Sequence, residues 1–398
     1  MAELIRTATV GLSLQLLIPG QLSFLSRHFD VLAVGSGKDV MAGVGRREGV
    51  RVEAVEMRRR PSPLADLASL WRLYQLFRRE KPLIVHSMTP KAGLLSMLAA
   101  RLAGVPCRIH TFTGLVFPSR RGVERGLLLR ADRLICRLAT CVIPEGAGVA
   151  RDLARFGVTG AMPQVVGPGN VNGIDSEYFD PAVWGPERVM AHRREVLTDP
   201  EAFVFIFVGR LVRDKGMAEL AEAFVAVQAE MARGIALVLL GDEEPTIDPL
   251  EPRTQELLER NPGVVRTGFV DDVRPWLAMA DCFVLPSHRE GFPNAVLQAA
   301  AMGLPSIVTD VNGCNEIIEN GHNGLVVPPH DAVALGDAMR RMIDDRCLRE
   351  ALRSRARQSV VPRFERSEVW MALLKLYRSC LQAQSPDGGY ASPLGGSR

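Results

Sequence analysis

Residues 289–305 read REGFPNAVLQAAAMGLP. A carboxylate, Glu290, precedes Gly291, Phe292 and Pro293, and an apolar run of helical spacing then continues to Gly303. Proline suits the first turn of a helix and glycine its stop. The first amides of such a helix, at Asn294, Ala295 and Val296, find no partner within it and can donate to an anion. A carboxylate repels phosphate. The two features are compatible if Glu290 holds neutral hydroxyls while a phosphate meets the amides, and a sugar joined to a diphosphate offers both groups. Gln298 follows eight residues later, about 12 Å along a continuous helix axis. That spacing suits the two ends of one extended ligand better than a pair of carboxylates sharing a proton. Taken alone, Glu290 has a second reading, as a partner of the helix dipole.

FVGRLVRDKGMAEL (207–220) is the second stretch with chemistry in it. A buried strand ends at Gly209, where backbone can approach a ligand, and Arg210 and Lys215 lie on the loop before a helix. Ligands of open α/β sheets bind at the carboxyl ends of the strands, where two cations can neutralise a diphosphate. Spacing alone leaves open whether they are instead solvated surface cations. VGSGKDVMAG (34–43) fails both phosphate-loop patterns. Leu32 and Asp39 occupy positions that a P-loop needs as glycine and as serine or threonine, and Val40 replaces the last glycine of GxGxxG. A turn after a strand is the reading that remains.

Alternating elements carry these stretches. DVLAVGS (30–36), LIVHSM (83–88), CRIHTF (107–112) and TCVIPE (140–145) read as short buried strands. PLADLASLWRLYQLFRRE (63–80) and AGLLSMLAARLAG (92–104) read as helices between them. In the first helix Leu64, Leu67, Leu70, Trp71, Tyr74 and Phe77 recur at helical spacing. A Gly-, Asn- and Pro-rich segment, 163–181, reads as loop and linker. The pattern then restarts with 203–210, 235–242, 264–270, 282–287, 305–310 and 324–329. Strands alternating with helices imply parallel βαβ units. We expect residues 1–183 and 184–365 to form two α/β domains. The helix 366–383 is expected to pack back toward the first domain, and the tail 384–398 to be disordered.

At 398 residues the chain exceeds one ordinary core. Its 47% hydrophobic and 23% charged residues suit a soluble globular protein, and a net charge of +3 does not suggest a nucleic-acid binder. Seven scattered cysteines contain no CxxC pair, which supports neither a disulfide framework nor a zinc ribbon and fits a reducing cytoplasm. TATVGLSLQLLI, after Arg6, has the length of a signal core but no clear cleavage site behind it, so it reads as a first buried strand and its loop. No apolar stretch is long enough for a membrane span. MRRRP (57–61), FRREK (77–81) and the leucine-interleaved basic segment 118–139 concentrate cations in the first half. They fit docking on anionic lipid, and equally ordinary solvated helix faces.

VGRLVRDKG and REGFPNAVLQAAAMGLPSIVTDVNGCNEIIENGHNGLVVPPHD, with EKPLIVHSMTPKAGLLSMLAARLAGVPCRIHTFTG and NVNGIDSEYFDP in the first half, resemble the retaining GT-B glycosyltransferases of the group 1, family-four type. The likeness covers about residues 5–380, and its flavour is that of the capsular polysaccharide and O-antigen transferases acting on polyprenyl-diphosphate-linked sugars. It implies an α/β GT-B fold, two Rossmann-like domains facing a central cleft. It also implies roles for single residues. Arg210 and Lys215, beside Gly209, would hold the diphosphate of a nucleotide-sugar, UDP-linked. Glu290 would bind the sugar hydroxyls, supported by Gly291, Phe292 and Pro293, with the backbone of Asn294, Ala295 and Val296 meeting phosphate. Gln298 stands where the family usually has a ribose-binding Glu, which leaves nucleotide preference open. His110 in RIHTFTG matches the family's active-site histidine. His86 and Lys91 are candidates for the acceptor side, with a structural role equally open to His86. The likeness further implies a hexosyl or N-acetylhexosaminyl transfer by front-face substitution. Without an Asp-x-Asp motif, we expect no metal requirement. The expected location is the cytoplasm, peripheral to the inner face of the membrane. A sugar-nucleotide epimerase of the same fold, and a catalytically silent binding protein, are the alternatives.

Overall fold

The computed structural model describes residues 1–232, 234–246 and 248–383, so the tail 384–398 lies outside the described residues. Met1–Gly173, together with the chain from Arg366 onward, forms one compact unit, and Ile174–Glu365 forms the other. The second unit starts ten residues ahead of the division placed at 184. Ile174 already donates its N–H to Phe364 O (2.7 Å), and Ile174 and Phe179 are buried in the second unit's core.

The first unit is built on a parallel sheet of β1 (Leu4–Val10), β2 (Val31–Ser36), β3 (Arg51–Ala54), β4 (Ile84–Met88), β5 (Cys107–Phe112) and β6 (Cys141–Pro144), in the order β3-β2-β1-β4-β5-β6. The second carries β7 (Phe203–Val208), β8 (Ile235–Leu240), β9 (Val264–Gly268), β10 (Cys282–Leu285), β11 (Ser306–Thr309) and β12 (Gly324–Val327), in the order β12-β11-β10-β7-β8-β9. Counted within each unit, both orders are 3-2-1-4-5-6, the doubly wound arrangement. Central strands such as FVFIFV and IALVLL are covered on both faces by helices. They are therefore continuous apolar runs with no polar alternation, buried along nearly their whole length.

Three expectations need correction. TATVGLSLQLLI is not one strand with its loop: β1 ends at Val10 and Gly11–Leu17 is helical. The segment after VGSG is more than a turn, because Lys38–Glu48 is a helix, leading to the edge strand β3. Third, the regular apolar stripe of helix Pro63–Glu80 does not all face the core. Leu73, Leu76 and Phe77 are buried, whereas Leu64, Leu67 and Trp71 lie on the solvent side, Trp71 at 57% exposure.

The helix Arg366–Gln382 packs on the first sheet through Leu373 and Tyr377. Tyr377 is fully buried, and its hydroxyl lies 2.7 Å from Arg6 Nη1 and 2.6 Å from His86 Nδ1. His86 Nε2 lies 2.7 Å from Thr111 Oγ1. A guanidinium can only donate, so the phenol accepts from Arg6; its own proton finds an acceptor when His86 is the tautomer with a bare Nδ1. In that tautomer Nε2–H donates to Thr111 Oγ1. Burial first, then the charge of Arg6, holds His86 well below its usual pKa. On the neighbouring strand, burial lowers His110 to about 3.

Two predictions follow from this network. Tyr377→Phe strands Arg6 Nη1 and His86 Nδ1 inside the unit, and should lower stability by about 1–3 kcal/mol in urea unfolding. The buried histidines also make stability depend on pH. Their folded pKa values lie below the unfolded value of about 6.5, so the stability they contribute is complete above pH 6.5 and is lost as pH falls toward 3. At pH 5 His110 alone should cost about 2 kcal/mol, while Asp132, whose carboxyl burial raises to about 7, titrates in the same window with the opposite sign, so the comparison is made between variant and wild type. Thermal unfolding of His110→Asn between pH 7 and 5 should show a correspondingly shallower fall than wild type.

Candidate active site

In the second sheet the strand order reverses between β7 and β10, which pair directly, Phe205 with Cys282 and Ile206 with Phe283. Their outgoing loops leave in opposite directions and open a crevice at the carboxyl edge. Gly209, Arg210 and Lys215 lie on the loop leaving β7; Ser287, His288, Arg289 and Glu290 lie on the loop leaving β10. The loops touch closely. Gly216 has φ +70°, and a β-carbon there would sit 2.0 Å from Pro286 O, so only glycine fits. His288 N–H donates to Asp214 O (3.0 Å), and Arg289 pairs with Asp214 (2.5 Å).

This packing brings Lys215 Nζ onto Glu290 Oε1, with both side chains largely shielded. Ser287 Oγ donates to the same carboxylate oxygen (2.6 Å). Arg210 is half-exposed and pairs with Glu244 (2.5 Å). Both cations expected at a diphosphate are thus present at one strand edge, each balanced by a carboxylate. Gly291, Phe292 and Pro293 are buried, Phe292 against Phe364 at a ring separation of 5.4 Å.

The helix after them is shorter than its sequence suggests. It runs Asn294–Ala301, with Pro293 as an extended N-terminal residue (φ −74°, ψ 110°) and no side-chain cap. Val296 N–H is not available as expected, because it donates to Pro293 O (3.1 Å) in a tight first turn. Gln298 stands four residues into the helix, about 6 Å of rise from its start, so the 12 Å computed from Glu290 along one continuous axis does not apply. Its half-buried side-chain amide makes no hydrogen bond among the described residues.

In the first unit the reversal falls between β1 and β4. Thr89, just past β4, has φ +72°, a costly conformation for a β-branched residue. It is held there by Thr9, whose N–H (3.0 Å) and hydroxyl (2.8 Å) both meet Thr89 Oγ1. His110 is buried near this edge. Its Nδ1 meets Ser87 Oγ (2.8 Å), its ring packs edge-on to Phe112, and Nε2 makes no hydrogen bond among the described residues. Gly93 makes room for it: a β-carbon would lie 2.4 Å from His110 Cε1. The depressed pKa keeps this imidazole neutral at physiological pH. His86 has no spare ring nitrogen, since Tyr377 and Thr111 occupy both. Lys91 is engaged with Asp66 (2.8 Å) and Arg60 O (2.6 Å).

Sequence reasoning passed over Ser287, Glu244, Thr9 and Thr89. Thr89 carried no local signal, because its conformation is visible only in the backbone. Ser287 lay inside the quoted strand segment 282–287 and could have been found as the polar residue ending an apolar run.

Comparison with known proteins bears on this geometry. Residues 202–345 match the family described as glycosyl transferases group 1, and residues 24–169 match the glycosyl transferase 4-like domain. The capsular polysaccharide biosynthesis glycosyltransferase CapM of Staphylococcus aureus is 30% identical over 387 residues, covering 96% of this chain and 98% of that protein. A UDP-Gal:alpha-D-GlcNAc-diphosphoundecaprenol alpha-1,3-galactosyltransferase of Escherichia coli is 32% identical, covering 72% of this chain and 73% of its own length. Among solved structures, Anabaena HepE in complex with UDP and glucose superposes with a TM-score of 0.79 at 18% identity, covering 95% of this chain and all of that one. That likeness shows the fold, which is GT-B. With both domain families matched and near-full-length similarity to CapM at 30% identity, the chain belongs to the group 1 glycosyltransferases.

Proposed function

We propose that this glycosyltransferase moves a hexosyl or N-acetylhexosaminyl group from a UDP-linked sugar to a polyprenyl-diphosphate-linked sugar, with retention, in surface polysaccharide assembly. The observation that carries the reading is the Lys215–Glu290 pair at the strand reversal of the second sheet. A ligand with hydroxyls on one side and a diphosphate on the other can take over both partners, the sugar meeting Glu290 and the phosphates drawing on Lys215 and Arg210. The names of relatives from S. aureus, E. coli and Campylobacter jejuni support the substrate classes: a capsular transferase, and two enzymes whose acceptors are diphospho-undecaprenol-linked sugars.

The chemistry that fits is front-face substitution. As the glycosidic bond to the diphosphate breaks, negative charge grows on the departing oxygen. Arg210 and Lys215 stabilise that charge where it develops, and the departing phosphate takes the acceptor's proton. His110, neutral and with a free Nε2, can hydrogen-bond a sugar hydroxyl. The two cations do what a divalent ion does in other transferases, so the reading is metal-independent. Gln298 would meet the ribose through its amide.

For location, we place the protein in the cytoplasm, peripheral to the inner face of the membrane. No helix among the described residues is long and apolar enough to cross a bilayer. The helix Gly122–Leu138 exposes Val123, Leu127 and Leu134 beside Arg120, Arg121, Arg130 and Arg137. Leu64, Leu67 and Trp71 are exposed on Pro63–Glu80, and both helices pack against Pro90–Leu102. Apolar side chains ringed by cations match an anionic lipid surface.

Calorimetric titration with UDP, GDP, ADP and TDP in EDTA tests the donor site. We expect UDP to bind, and Arg210→Ala to weaken it about 10- to 100-fold through loss of a charge-assisted contact. Absence of UDP binding in EDTA overturns the assignment. Gln298→Ala should weaken UDP about tenfold and leave inorganic pyrophosphate unchanged; equal effects on both ligands would refute the ribose contact. With a lipid-linked acceptor, the product should keep the donor's anomeric configuration. Conversion of the donor sugar without acceptor would instead identify an epimerase. Flotation at low salt should carry the protein with anionic but not neutral vesicles.

A further inference from the structure

Three side chains far apart in sequence meet beside the donor loops without taking part in the chemistry above. Glu219 sits on the first turn of the helix Met217–Glu230 that follows Lys215. His288 is on the loop leaving β10, and His330 is just past β12. His288 Nε2 lies 2.9 Å from Glu219 Oε1, and His330 Nδ1 lies 3.5 Å from the same oxygen. The three ligating atoms are all within 4.8 Å of one another. The imidazole rings lie 3.7 Å apart between centroids and are tilted by 36° to one another. The second oxygen of Glu219, Oε2, is buried and has no hydrogen-bond partner.

We propose that Glu219, His288 and His330 form a binding site for a zinc-class divalent cation. The donor set, two imidazoles and one carboxylate, is borderline-soft, and suits Zn²⁺ and Co²⁺ better than Mg²⁺ or Ca²⁺. Around a tetrahedral zinc with bonds of about 2.0–2.2 Å, ligand atoms stand roughly 3.3–3.5 Å apart. The two edges to Glu219, 2.9 and 3.5 Å, lie near that value, and the edge between the imidazoles is no longer than 4.8 Å, so side-chain rotations that close the latter bring three ligands onto one ion and leave a fourth position for water. The unpartnered Glu219 Oε2 gains a partner if the carboxylate turns to share the ion.

Each ligand is fixed by its own backbone. His288 N–H is tied to Asp214 O (3.0 Å). His330 has φ +62°, uncommon for a residue with a side chain, and the next residue, Asp331, caps the helix Ala332–Asp344 through Ala334 N–H (2.9 Å). Glu219 is held by its helix. An ion there cross-links the segments following β7, β10 and β12. His288 is two residues from Glu290 and Glu219 four from Lys215, so the tie would stiffen the two loops that carry the ion pair without contacting the diphosphate cations' own role.

The test uses the full chain, stripped of metal and titrated with ZnCl₂ by calorimetry, with thermal unfolding in parallel. Wild type should bind one equivalent of Zn²⁺ and unfold at higher temperature when loaded. Co²⁺ in its place should give the intense visible bands of a tetrahedral site. His330→Asn, which tolerates the left-handed backbone, and Glu219→Gln should each weaken Zn²⁺ at least tenfold and abolish the thermal shift. His330 is mostly exposed, so its variant should fold even if His288 substitutions do not. Absence of saturable one-equivalent binding in wild type overturns the proposal. So does Zn²⁺ binding unchanged in both variants, which would put the ion on other groups, such as the exposed thiol of Cys347.

Discussion

A shielded ammonium and a shielded carboxylate must be kept together in the second unit, and much of its local structure answers to that requirement. Withdrawing Lys215 and Glu290 from water is expensive unless each charge has its partner and its remaining hydrogen bonds. The pairing of β7 with β10 brings their loops to one edge. Gly216 lets the first loop lie on Pro286 O, and Ser287 adds a donor to Glu290. Removal of either charged partner would leave the other shielded and unpaired. The same arrangement leaves the pair replaceable. Under the proposed reading, a sugar diphosphate would offer hydroxyls to the carboxylate and charge to the ammonium, so binding would exchange partners and strand neither group. A fold that only needed a stable core would gain more from two apolar side chains at this place.

The first unit uses the opposite device. Its two buried histidines are neutral, one with both nitrogens committed and the other with one nitrogen free. Charge is carried instead by Arg6, buried beneath Tyr377, so the C-terminal helix becomes part of the sheet's electrostatics. A neutral imidazole with a spare nitrogen hydrogen-bonds a hydroxyl without attracting a phosphate.

Legibility of these features in the sequence followed burial and locality. Central strands were plain, because a parallel strand covered on both faces is a continuous apolar run. The edge strand β3, with only β2 beside it and a half-polar RVEA, gave no such run. Helix Lys38–Glu48 was hidden behind the glycines of VGSG, and Gly11–Leu17 continued the apolar character of β1 past the point where the backbone turns. In Pro63–Glu80 periodicity located the helix correctly but could not say which apolar face was inward; Leu73 and Leu76 bury, while Leu64 and Trp71 do not. The site was partly visible. Arg210, Lys215, Glu290 and Gln298 stood out by type and spacing. The capture of Val296 N–H by Pro293, and the strained Thr89, depend on backbone angles that no residue pattern encodes.

Spacing along the chain also misled in an instructive way. Glu290 and Gln298 seemed to measure out one helix, yet only the last four of the eight steps are helical. The first four are a buried Gly-Phe-Pro turn, which places Glu290 by packing Phe292 on Phe364 and not by helical rise. The carboxylate is therefore positioned by the core of the second unit, whereas Gln298 is positioned by the helix. A glutamine in place of a carboxylate changes charge at the helical position alone and leaves the Glu290 geometry untouched. Loss of the second negative charge also removes repulsion toward a diphosphate lying between the two. Under the proposed reading, the departure at Gln298 would bear on a ribose contact alone, because Arg210 and Lys215 stand on the loop leaving β7 and not on this helix.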